Sequence, residues 1–417
     1  MDKHGSANTG RVTGLIWLIG LAIFINYVDR GTLGIAAPRM KAELGLSAIE
    51  FGTAASAFFW VYAPGQLAIG WLVGRVSAAR LLAAGLAMWG LATALTGLAS
   101  GLPMLVVLRM LLGAGEATAF ICAFKLIIDH VPAARVGVAF GAVSVAIGLG
   151  PAIGTLAGGL MLAAVGWHWL FGILGIATLA WIMPWLRITA RLPAPAADST
   201  VRAGPSYWQV FANRPALSLS LAQICWAFAL YFIVTWLPLW LVDARGYSIT
   251  DMAWLGSLVF VAQALAGFIG GRFNDRLLAR GMPTGVVRRT CAVSGQVLIV
   301  TGIAILPLST TQSVLIVGLL LAGFGLGLTH VSINLAAQTF AGSLAVGKWV
   351  GVQNGIGNLA GIANPLITGA ILDATGNYGW AFALAGGAQL IGMFSVIMLV
   401  PAIAPIDWDR RGSAGSR

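Results

Sequence analysis

Twelve long apolar runs succeed one another along this chain, at about residues 14–37, 50–73, 81–100, 103–128, 137–163, 167–189, 216–243, 251–273, 290–310, 312–340, 349–374 and 378–402. Each is close to the roughly 20 residues that a helix needs to cross a bilayer. Only 9% of the residues are charged and 59% are hydrophobic, whereas about a quarter of a soluble domain is charged. With a mean hydropathy of +0.90, a water-soluble globule, a disordered chain, a collagen and a nucleic-acid binder are excluded. The 55 glycines suit helices that pack closely in lipid through small residues. The fold expected is an all-α membrane protein with twelve transmembrane helices in two six-helix pseudo-symmetric bundles. Residues 1–13 are polar and lead into the first run without a small-residue processing site, so that run reads as a retained span.

The longest polar stretch, rich in proline and charge, falls after the sixth run. It divides the chain into an N-terminal bundle (1–189), a cytoplasmic linker (190–215) and a C-terminal bundle (216–417). A repeat supports that division: Gly70-Trp71-Leu72-Val73-Gly74-Arg75 recurs as Gly271-Arg272-Phe273-Asn274-Asp275-Arg276, 201 residues on. Parallel six-span repeats with a midplane site are one way transporters are built. Eighteen of the 24 basic residues, among them Arg75, Arg80, Arg135, Arg187, Arg191, Arg276 and Arg289, fall on the side that also holds both termini. Arg39, Lys41 and Arg245 fall on the other. The positive-inside rule makes the richer side cytoplasmic and accounts for the net charge of +11 without a polyanionic partner.

Asp29, Arg30, Arg109, Glu116 and Lys125 lie inside the runs, where a charge costs about 2.5 to 3.5 kcal/mol on insertion scales and marks a functional hypothesis. Counting along the first and fourth runs puts Asp29, Arg30 and Arg109 at similar depth in the outer half, with Glu116 two turns deeper on the face of Arg109. The four charges can neutralise one another as a packing network. They can also couple a proton to an anion, because an arginine captured by a carboxylate ligand releases its acid to bind a proton. Asp29 adjoins Arg30 and meets Arg109 at its own depth. Glu116 has less support for its charge and is the better proton carrier on this count. Lys125 falls near the cytoplasmic end, placed to pair with Asp129 at i+4 or to contact a ligand in an inward-open state. Asn26, Tyr27, Tyr62, Gln66, Tyr231, Asn334, Gln338, Asn354 and Asn358 read one by one as interhelical glue and, taken together, as a lining for a small hydroxyl-rich ligand. Cys122, Cys225 and Cys291 sit in apolar runs with neither disulfide nor metal spacing.

Asn26-Tyr27-Val28-Asp29-Arg30 and Arg109-Met110-Leu111-Leu112-Gly113-Ala114-Gly115-Glu116 resemble the major facilitator superfamily. With Phe58 to Tyr62, Gln66, Trp236-Leu237-Pro238, Gly271 to Arg276 and Asn354 to Gly361, the chain is similar to its anion:cation symporter family, whose bacterial members include galactonate, glucarate and hexuronate transporters. The resemblance implies Asp29 and Glu116 as protonatable acids, Arg30 as the carboxylate anchor and Arg109 as the partner of the acids. Tyr27, Tyr62 and Asn354 are implied ligand contacts, with Gln66, Asn334 and Asn358 as further polar positions. Gly70, Arg75, Gly271, Asp275 and Arg276 match the cytoplasmic gate motif. Gly74 replaces the gate acid that Asp275 keeps in the second half, which implies an asymmetric gate. Val331 and Asn334, with His330 nearby, replace the tryptophan and serine of the galactonate-type pattern, so the resemblance does not extend to one substrate.

The function expected is proton-coupled symport of an organic anion, a sugar acid, by a monomer in the bacterial inner membrane, with the proton as coupling ion and no other cofactor or metal. Anion exchange, facilitation and a transporter-like sensor stay open as alternatives. An enzyme is not expected, because zinc, phosphate-loop and dinucleotide signatures are absent and no stretch outside the runs is long enough for a soluble catalytic domain.

Overall fold

The computed structural model describes residues 3–73, 75–190 and 204–408; Gly74 and most of the expected linker lie outside the described residues. The chain is helical: α1 (Lys3–Glu43), α2 (Ala48–Leu72), α3 (Ala78–Thr96), α4 (Leu102–Glu116), α5 (Thr118–His130), α6 (Ala133–Thr189), α7 (Tyr207–Phe211), α8 (Arg214–Thr235), α9 (Leu237–Leu239), a π-helical turn (Trp240–Ala244), α10 (Ile249–Ala279), α11 (Thr284–Leu308), α12 (Gln312–Thr375), α13 (Tyr378–Phe394) and a second π-helical turn (Ser395–Leu399).

Among the described residues, ten helical stretches are long and apolar enough to cross a membrane. One of them, Ala134–Thr189, is two helices joined at Gly166 (φ 81, ψ 171). Residues 312–375 likewise turn at Gly342 (φ 59, ψ −173). Positive φ strains any residue with a Cβ, so glycine lets each pair of helices meet without an intervening loop. The less apolar α2, 25 residues carrying Tyr62 and Gln66, supplies the twelfth span. The fourth expected run is α4 and α5 in succession, divided at Ala117, whose φ of −57 and ψ of −23 keep the chain helical.

Two compact units emerge: Met1–Ala197 with Val234–Ser257 and Pro365–Asp373, and Asp198–Ile233 with Leu258–Asn364 and Ala374–Arg417. In the first, Ser47 and Glu50 form a capping box at the start of α2, and Asp373 accepts from Ala48 N and Ile49 N at 2.8 Å each. A carboxylate there satisfies two orphan amides and meets the positive end of the helix dipole. In the second, Phe340, Trp349 and Trp408 pack around the turn at Gly342, and Trp408 Nε1 donates to Ala341 O at 2.9 Å. Many large apolar side chains face outward, Trp17, Leu67 and Trp254 among them, as helices solvated by lipid require.

Candidate functional site

Asp29 and Arg30 are neighbours on α1, so at 3.6 residues per turn their side chains point about 100° apart. Asp29 is turned toward α3, where the Thr93 hydroxyl donates to its Oδ2 at 2.7 Å. Arg30 is turned toward α2 and α4. Its Nε donates to Glu116 Oε2 at 3.0 Å and its Nη2 to the Tyr62 hydroxyl oxygen at 2.6 Å. Gln66 Nε2 donates to the same oxygen at 3.0 Å. With both acceptor positions of that hydroxyl used, its proton is left to donate. The guanidinium carbon of Arg30 lies 4.7 Å from the Tyr62 ring centroid, 5.3 Å from Tyr27 and 5.7 Å from Phe58. These faces favour a cation while shielding it from water.

Arg109 is buried, 5.1 Å from the Phe58 ring centroid, and interacts electrostatically with both Glu116 and Asp29. Its Nε has no acceptor, and Glu116 Oε1 is buried without a hydrogen-bond partner. Glu116 holds the ion pair with Arg30, while Asp29 is bonded by a neutral hydroxyl and lies within electrostatic reach of Arg109. Depth along the helices was counted correctly for a meeting of the four groups, but the direction of each side chain decides the partners. The Arg30 side chain is 18% exposed and that of Glu116 0%, so the arginine is the more accessible partner.

Small residues bring these helices together. A Cβ at Gly113 would collide with Phe58 O of α2, and one at Gly115 would come within 2.7 Å of Trp89 Cβ on α3. The Gly113 and Gly115 spacing ahead of Glu116 is therefore what lets α4 approach both neighbours. On the other side of α1, Gly150 and Gly154 of α6 leave room for Tyr27 and Val28: a Cβ at either would sit 2.6 Å from Tyr27 Cβ or 2.8 Å from Val28 Cα. Asn26 is buried here with neither amide atom bonded. Tyr27 meets the Phe120 ring edge-on, centroids 6.0 Å apart.

The second unit carries polar groups of its own. The Tyr231 hydroxyl donates to Asn358 Oδ1 at 3.3 Å. Asn334 Nδ2 donates to His330 O one turn back, at 2.8 Å, and the His330 ring stacks on Trp226, centroids 4.5 Å apart. Asn354 is exposed. Buried amides singled out by nothing in the motif reading complete it: Gln353 Nε2 donates to Gln223 Oε1 at 3.4 Å, and Gln389 Nε2 donates to Cys225 O. Glutamine inside an apolar run was the available signal for these three. Thr93 had none, since a threonine in a helix ordinarily bonds its own backbone.

Lys125 Nζ lies 2.8 Å from Asp129 Oδ1, the i+4 pair its spacing suggested. Of the gate-motif residues, Arg75 stacks on Trp71, guanidinium carbon 3.7 Å from the ring centroid. Asp275 and Arg276 are exposed, Asp275 within electrostatic reach of Arg288, and Gly70 and Gly271 have open space where a Cβ would stand. No group of three metal-ligating side chains occurs among the described residues, and the three cysteines are buried and unpaired.

Apolar helices long enough to cross a membrane, with a charged cluster buried among those of the first unit, are what a membrane transporter requires. The Major Facilitator Superfamily model matches residues 19–363 and again 248–415. The chain belongs to that superfamily. It is 28% identical to the "Probable galactarate/D-glucarate transporter GudP" of Bacillus subtilis (strain 168), covering 94% of each chain. Identity is 30% to the "Hexuronate transporter" of the same organism, covering 93% of this chain and 94% of the relative. The "Probable sulfoacetate transporter SauU" of Cupriavidus necator matches at the same 30% identity and with the same coverage. Among solved structures, a bacterial homolog to the human lysosomal transporter Spinster, inward-facing and unoccupied, superposes with a TM-score of 0.77 at 18% identity, covering 94% of this chain and 95% of that one. That likeness bears on the fold alone.

Proposed function

We propose that this chain is a secondary active transporter that moves a small organic anion, a sugar acid of the galactonate, glucarate or hexuronate kind, together with protons by alternating access. The observation that carries the reading is Arg30, the more exposed partner in an ion pair with a fully buried acid, Glu116, whose second carboxylate oxygen has no hydrogen-bond partner. Arginine matches a carboxylate with forked donors and cannot be titrated away. When a ligand carboxylate takes those donors, Glu116 loses the charge that balanced it, and a proton is then favoured on it. Tyr62, whose hydroxyl already accepts from Arg30 and Gln66, donates its own proton to the same ligand. Arg109 keeps positive charge beside both acids. Anion and proton thus load together, and by linkage each tightens the other. Names of relatives support the substrate class, and the sulfoacetate relative shares with the others a ligand bearing a carboxylate.

Counterflow in proteoliposomes, scored against a panel of sugar acids and sulfoacetate, tests the reading. Exchange of at least one aldonate, aldarate or hexuronate is expected; no exchange of any of them removes the sugar-acid assignment. In the proposed cycle the bundles 1–189 and 216–417, joined by 190–215, move within a bacterial inner membrane with both termini cytoplasmic. Impermeant thiol reagent added to intact cells should modify a cysteine introduced at Arg245 and spare one at Arg202. The opposite pattern inverts the topology.

A further inference from the structure

Thr93 and Arg30 offer the two buried acids different kinds of hydrogen bond. We infer that Thr93 is the positioning residue that lets Asp29 change protonation state in place, whereas the partner of Glu116, Arg30, can only donate. The inference deepens the proposed function and rests on it for its role in transport.

A hydroxyl carries one donor and two acceptor positions, whereas a guanidinium only donates. Thr93 Oγ1 is buried and 2.7 Å from Asp29 Oδ2, where it donates to the carboxylate. When a proton binds Asp29 Oδ2, the new carboxyl O–H donates to Thr93 Oγ1. The threonine hydroxyl rotates its own hydrogen away to accept it. One O–H bond forms on Asp29 and breaks when the proton leaves. Arg30 Nε, by contrast, only donates: a proton on Glu116 Oε2 would displace it, and one on Oε1, which has no partner, would leave that bond in place.

Close packing holds Thr93 in this place. A Cβ at Gly97 would collide with His168 O of α6, and one at Gly175 with Gly90 O and the backbone of Ala94, so α3 and α6 are in backbone contact on both sides of Thr93. The charged groups that act on Asp29 are Arg109 and Glu116, both from α4; Arg30 adjoins it in sequence and turns to Glu116. The segment of α6 against Tyr27 and Val28 brings Gly150 and Gly154, with no titratable side chain.

Thr93→Val keeps the shape and removes the hydroxyl, and Thr93→Ser restores it. The probe is the carboxyl C=O band in infrared difference spectra of purified protein as pH is varied, assigned to Asp29 by its loss in Asp29→Asn. A hydrogen bond to a carboxylate is worth more than one to a neutral carboxyl. In Thr93→Val the midpoint should therefore rise by about one pH unit, and the band should move to the position of a free carboxyl. Thr93→Ser should return both to wild type. An unchanged band and midpoint in Thr93→Val, or a serine variant that behaves like the valine, overturns the assignment. Should Thr93→Val fail to fold, Thr93→Ala is read in the same way. Because this spectrum needs no transport, a moved midpoint in a protein whose uptake ignores the pH gradient keeps Thr93 and rejects the coupling. Gradient-driven uptake with an unmoved midpoint does the reverse.

Discussion

Arg30→Lys is expected to lower organic-anion affinity by about 100-fold or more while the protein stays folded. Arg30 spends its Nε on Glu116 and its Nη2 on Tyr62, and the same fork must turn to grip a ligand carboxylate. A lysine ammonium keeps the charge but presents one compact point, unable to hold two partners in a plane. Losing one or two charge-assisted bonds, at about 1.5 to 3 kcal/mol each, corresponds to that range of affinity. Calorimetry on the purified variant reads the change directly, using the acid identified by counterflow. Affinity within a factor of two or three of wild type would show that the anion is anchored elsewhere.

Glu116→Gln should separate exchange from accumulation. Glutamine has the shape and neutrality of a protonated glutamic acid, and its amide oxygen can still accept from Arg30 Nε. Since the variant imitates the loaded state, substrate binding and counterflow persist. With no proton to gain or lose there, a pH gradient can no longer drive uptake against a substrate gradient. In the intact protein, the joint presence of anion and proton lets the site cross the membrane midplane with less unpaired charge, a lone ion being costly in that setting. Wild-type accumulation by Glu116→Gln would leave Asp29 as the proton carrier or remove symport altogether. The contrast with Thr93→Val follows from the two kinds of hydrogen bond: the threonine substitution moves a pH midpoint, and the glutamate substitution abolishes the driving force.

Much of the architecture was legible in the residue order because lipid is an undemanding but absolute filter. A run of about 20 apolar residues can do little except cross, and glycine, proline and charge mark where crossings end. The tight reversals at Gly166 and Gly342 were visible as gaps of a few residues between runs. The helix-to-helix junction with a single positive-φ glycine in each (φ 81 and φ 59) was not, since tertiary packing sets those angles. Asp29, Arg30, Arg109 and Glu116 stood out because ions in apolar runs are rare. The i+4 spacing of Lys125 and Asp129 placed that pair before any coordinates were needed.

What the sequence determined, then, was the set of spans and the short roster of charges buried in them, both of which follow from local composition in a low-dielectric solvent. Which charge faces which partner was a tertiary matter. Arg30 and Glu116 are 86 positions apart, and Asp29 and Thr93 are 64 apart. No local rule links such residues. Consecutive side chains on α1 diverge by about 100°, so the rotation of that one helix against α2, α3 and α4 gives the ion pair to Glu116 and the hydroxyl to Asp29. That rotation is set by how closely backbones approach at Gly113, Gly115, Gly150 and Gly154, a property of several helices at once.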